Sequence, residues 1–87
     1  MYGFRESALN SLGYRLLREE KDEAAVAVLT LNAAEYPDSW NVYDSLGEAW
    51  LAVGNREKAL ENYEKSVAMN PDNQAGLKAV ERLKAGL

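Results

Sequence analysis

The 87-residue chain contains neither cysteine nor histidine. Without thiols no disulfide or thiolate-metal framework can staple the fold, and the redox compartment goes unmarked. Without imidazole the commonest metal ligand and the usual general base near neutral pH are missing. Positive charge is in short supply, with 10 Lys and Arg against 14 Asp and Glu and a net charge of -4. Phosphate neutralisation needs clustered cations, so nucleic acid is not an expected partner. No apolar run approaches the roughly 20 residues that span a bilayer, so no membrane partner is expected. Residues 1–6, MYGFRE, lack the positive start and apolar centre of a signal peptide. A cytoplasmic location is the expectation, with an exported one left open, and the start at Met1 is compatible with a cut from a longer parent.

The remaining chemistry is equally sparse. The acids Glu19-Glu20 and Asp22-Glu23 lack the Asp-x-Asp-x-Asp-Gly spacing of a calcium loop and read as a solvated turn. Hydroxyls at Ser7, Ser11, Thr30, Ser39, Ser45 and Ser66 have no histidine to activate them, no Ser-x-x-Lys pattern occurs, and no Gly-rich phosphate loop is present. The expectation is a chain with no catalytic residue, no metal and no cofactor.

What the sequence does have is a copy of itself. Residues Ser11, Leu12, Gly13, Leu17, Glu23, Ala25, Ala34, Pro37 and Asp38 recur identically 34 positions later. In the stretch from Trp40 to Pro71, Tyr43, Leu46, Gly47 and Trp50 share one helical stripe. Ala59 and Tyr63 share a second beyond the turn residues Gly54-Asn55. A fixed period with small and large residues in fixed slots predicts one helix-turn-helix unit stacked on its copy.

These slots resemble the tetratricopeptide repeat pattern W-x2-L-G-x2-Y, then A-x3-F, then P. The second copy fills them with Tyr43, Leu46, Gly47, Trp50, Ala59, Tyr63 and Pro71, and the resemblance covers residues 6–73. The first copy departs with Leu9, Leu16 and Leu29 in aromatic slots and Glu20 where the second has Gly54. The resemblance implies an all-α fold of antiparallel helix-turn-helix repeats, a fragment of a right-handed α-solenoid. The expected organisation is one domain over 1–87: a tail at 1–6, repeats at 6–39 and 40–73, and a capping helix at 74–87.

Helix one is expected from about Ser7 to Glu19, burying Leu9, Leu12 and Leu16. Helix two is expected from Asp22 or Glu23 to Glu35, with Asp22 as its cap. Tyr36, ahead of Pro37, is pushed out of helical geometry and ends it. Helix three follows a cap at Asp38 or Ser39 and runs to about Val53, where Gly54-Asn55 forms a left-handed C-cap. Helix four covers Arg56 to Met69, and helix five spans 74–86 behind Asp72 or Asn73. Glu81 and Lys84 replace the core residues Gly47 and Trp50, giving helix five the wet outer side that a repeat stack needs. Gly13 and Gly47 in one slot point to close helix approach.

Helix two differs from helix four. Its outer side carries Ala24, Ala27, Val28 and Leu31 where helix four has Lys58, Glu61, Asn62 and Lys65. A helix apolar nearly all round is normally covered. The coverings expected are Tyr2 and Phe4 of the tail, a second copy of the chain, or a preceding domain.

Tetratricopeptide stacks bind peptides along the first helices of their repeats. The resemblance therefore implies a groove lined by Asn10, Tyr14 and Arg18 from helix one, Asn41, Asp44, Ser45 and Glu48 from helix three, and Lys78 and Arg82 from helix five. Ser7, Ser11, Leu17 and Leu51 stand in the same groove slots. The carboxylate clamp of some relatives is not matched, since Asn10, Tyr14, Ser45, Ala75 and Ala79 occupy its positions. A second resemblance, of YPDSWNVYDSLGEAW and ALNSLGYRLL to tetratricopeptide tails of bacterial hydrolases including β-lactamase-like enzymes, implies an accessory role beside a catalytic domain. Two functions follow as expectations: a protein-protein interaction module that self-associates through helix two, and an accessory domain docked on a hydrolase.

Overall fold

The computed structural model describes residues 4–86, and in it five antiparallel helices follow one another: α1 (Phe4–Arg18), α2 (Asp22–Glu35), α3 (Trp40–Ala52), α4 (Arg56–Met69) and α5 (Gln74–Lys84). The architecture is all-α, with no strand among the described residues.

The turns α1–α2 and α3–α4 share one hydrogen-bond motif. The Lys21 amide donates to the Leu16 carbonyl at 2.8 Å and the Glu20 amide to Leu17 at 3.0 Å. Thirty-four residues on, Asn55 donates to Trp50 at 2.9 Å and Gly54 to Leu51 at 3.0 Å. This is the paired closure of a helix C-terminus around a left-handed residue. Gly54 adopts φ 87° without steric cost, whereas Glu20 is held at φ 60° in the same role.

Helix starts correct two expectations. α1 begins at Phe4, so Phe4, Arg5 and Glu6 are helical backbone and not tail. Tertiary contacts account for this: Asn32 Nδ2 donates to the Glu6 carbonyl at 3.0 Å, and Arg5 pairs with both Glu35 oxygens at 2.7 and 3.0 Å. Tyr2 and the Phe4 side chain, expected as anchors on α2, lie outside the described residues. Asp22 is the first helical residue of α2 and not its cap, because Lys21 takes the N-cap position and offers no side-chain acceptor. Ser39 precedes α3 but donates its hydroxyl to the Glu6 carboxylate. Asn55 and Asn73 are true side-chain caps, accepting from the Lys58 and Gly76 amides at 3.0 Å each.

The core sits between α2, α3 and α4: Ala25, Leu29 and Ala33, then Val42, Tyr43, Leu46 and Ala49, then Ala59 and Tyr63. Burying these side chains is the main stabilising term, at about 1.5–3 kcal/mol for each large one. Glycines set the helix spacing. A Cβ on Gly13 would stand 2.5 Å from Leu29 Cδ2, and one on Gly47 would stand 2.7 Å from Tyr63 Cδ2. The same glycine-to-bulky contact thus recurs at the 34-residue shift.

The first helix differs from its copy in what it buries. Leu12 is 40% exposed, against 5% for Leu46. Ala8, Ser11 and Arg15 are exposed as well, while their counterparts Val42, Ser45 and Ala49 are buried. The buried set on α3 lies against α1 and α2; α1 has no preceding helix pair among the described residues, so the expected burial of Leu12 does not occur. At the other end α5 buries Gly76 and leaves Leu77 39% exposed.

Candidate functional site

The first helix of each pair, α1 and α3, together with α5 forms one face, and its residues fall in rows 34 positions apart. One row reads Asn10, Asp44, Lys78; the next reads Tyr14, Glu48, Arg82. Helical spacing places the two rows one turn apart on the same side of their helices.

At the α1–α3 joint, the Ser45 hydroxyl donates to Asn10 Oδ1 at 2.5 Å. Ser45 is 1% exposed, so its hydroxyl closes the joint and does not face solvent. Partial burial pushes the Tyr14 hydroxyl above the ordinary tyrosine range, with the neighbouring Ser45 hydroxyl opposing and the Glu48 and Asp44 charges adding to it. Burial, and then the neighbouring Asp44 charge, raise the Glu48 carboxyl above the usual carboxylate range, with the nearby Tyr14 hydroxyl opposing. Asp44 is held from the far side, where its Oδ1 accepts from Asn73 Nδ2 at 3.0 Å. Asn73 also donates to Ser66 Oγ at 3.0 Å while capping α5, so one asparagine ties α3, α4 and α5 together.

Arg18 is exposed at the end of α1, Asn41 is half-buried at the start of α3, and Lys78 and Arg82 are exposed on α5. Sequence reasoning grouped these residues on one face but missed two neighbours, Arg56 and Tyr63. With Leu51, Ala79, Arg82 and Leu83 they line a cavity of about 340 Å³ between α3, α4 and α5. Tyr63 is raised well above the ordinary tyrosine range, chiefly by burial and then by the Glu48 and Asp44 charges. Comparing Arg56 with its counterpart Asp22 was the available signal.

On α2, Ala24 and Ala27 are exposed, Val28 is half-buried and Leu31 is 46% exposed. The corresponding side of α4 is polar, and two of its lysines cover aromatic rings: Lys58 Nζ lies 5.2 Å from the Trp50 ring centre and Lys65 Nζ 4.5 Å from that of Tyr43. Long lysine stems over rings keep that side wet above and apolar beneath.

No His, Cys, Asp and Glu cluster of metal-binding geometry occurs among the described residues, and no described helix is long and apolar enough to cross a membrane. Paired antiparallel helices, glycine-spaced and repeating at a fixed period, define a helical-repeat protein. Residues 40–73 match the tetratricopeptide repeat family. No curated protein matches the sequence. Tetratricopeptide repeats generally mediate protein-protein interaction and are typically non-catalytic.

Proposed function

We propose that the chain binds a peptide or partner protein along the face of α1, α3 and α5, with residues 6–39 acting as the first repeat. The observation that carries this reading is the pair of inter-helix bonds Asn10–Ser45 and Asp44–Asn73. Their side chains are fixed before any ligand arrives, so little rotamer entropy remains to be lost on binding. Asn10 and Asn41 add both donor and acceptor capacity toward an extended backbone. A peptide-library screen against the wild type and Glu48→Lys tests it: the hit set changes with the charge. A screen empty for both proteins removes the groove reading.

The exposed apolar side of α2, with Leu31 at its centre, supports the second part of the proposal: self-association of the isolated chain as a homodimer. The same side fits the alternative, an accessory domain docked on a bacterial hydrolase. Sedimentation of the isolated chain separates these, since a dimer covers the side without a second protein.

A further inference from the structure

The two junctions along the proposed groove carry opposite charge. The cavity between α3, α4 and α5 has Arg56 and Arg82 on its wall, with Leu51, Tyr63 and Leu83 supplying apolar surface. Shifted back by 34 residues, the two arginines become Asp22 and Glu48 at the α1–α2–α3 junction. The row beside them changes in the same sense, from Asp44 on α3 to Lys78 on α5. Arg82 makes no hydrogen bond or ion pair among the described residues, although Glu48 stands in the adjacent position of its row.

From these observations, and resting on the groove reading above, we infer that the α3–α4–α5 cavity takes an acidic side chain together with a neighbouring bulky apolar one, both from the middle of an extended peptide. A cavity near 340 Å³ holds about two side chains. Guanidinium groups pair with carboxylates through two parallel hydrogen bonds, and the leucines and the Tyr63 ring receive the apolar neighbour. An internal segment fits better than a chain end because the groove continues to α3. Neighbouring helices lie about 8–10 Å apart and an extended chain advances about 3.3 Å per residue. About three residues therefore carry the peptide to Asp44 and Glu48, which favour a cation. The charge order fixes one direction of binding, acidic residue over α5 and basic residue over α3.

Amide chemical shifts of the full chain, followed by NMR during titration with capped dipeptides, test this directly. The probes are Ac-Glu-Leu-NH2, Ac-Gln-Leu-NH2, Ac-Lys-Leu-NH2 and Ac-Ala-Leu with a free carboxylate. Ac-Glu-Leu-NH2 is expected to shift Ala79, Arg82 and Leu83 and to bind at least about fivefold more tightly than the Gln probe. Arg82→Gln abolishes that preference and Arg82→Glu turns it toward the Lys probe; Arg82 is exposed, so neither change threatens the fold. Equal binding of the Glu and Gln probes overturns the inference while leaving the groove in place. Tightest binding of the free carboxylate overturns it in favour of a chain terminus. Silence of every probe across α1, α3 and α5 removes the inference and the groove reading together.

Discussion

The ring of Tyr63 rests on the backbone of Gly47, so close that a methyl on that glycine would stand 2.7 Å from the ring. Tyr63 is 5% exposed and cannot swing aside. Gly47→Ala gains about 1 kcal/mol of helix propensity, but overpacking against a clamped ring costs about 1–3 kcal/mol. The net is a loss, read as a lower denaturation midpoint in urea. A variant as stable as wild type would show that α3 and α4 can part without penalty.

Asn73 does three tasks with one side chain. It caps α5 through the Gly76 amide, holds Asp44 and donates to Ser66. Asn73→Ala removes all three and leaves the Ser66 acceptor and the Gly76 amide donor without that partner, for a loss of about 1–3 kcal/mol. Thermal melts give the magnitude. Circular dichroism and amide shifts locate the damage, expected to concentrate in α5 and around Asp44.

Charge on the outer side of α2 tests what covers it. With the dimer proposed above, Val28→Glu and Leu31→Glu reduce the sedimenting mass to that of one chain and leave the helical signal intact. Variants that match the wild type in both mass and melting temperature remove the idea of a covered side.

The Glu48 carboxyl is raised by burial and by Asp44, so the folded state favours its protonated form. Such a group weakens the fold above its folded pKa, and this penalty disappears as pH falls below the unfolded value. Glu48→Gln is therefore expected to raise the melting temperature at pH 7 and to do nothing near pH 3. An equal gain at both pH values would place the effect in packing and not in charge.

The helix count, the turn positions and the glycine slots were legible because each rests on local chemistry repeated twice. Gly54 announces a left-handed C-cap; Glu20 takes the same conformation only because the hydrogen bonds around it recur. Leu12 was misread because periodicity names the side of a helix that is apolar, not whether a neighbour is there to cover it. The start of α1 was misread for a related reason. Its first turn is held by Asn32 and Glu35, some 26 and 30 residues away along the chain, and local propensity contains no trace of that. On the candidate site, the family slots grouped Tyr14, Asp44 and Glu48 on one face, while the Asp44–Asn73 bond and the turn of Ser45 into the joint depend on inter-helix distances. The cavity stayed hidden because two of its six residues, Arg56 and Tyr63, belong to a helix that the groove pattern assigns to the opposite layer.

Since α5 commits only a glycine fully to the interior, it is the rung with least to lose on detaching, and its amide protons should trade with solvent before those of α3. Arg82 would then come and go with that rung. A peptide seated across the last two rungs would slow the exchange, making order at the carboxyl end something the bound partner helps to create.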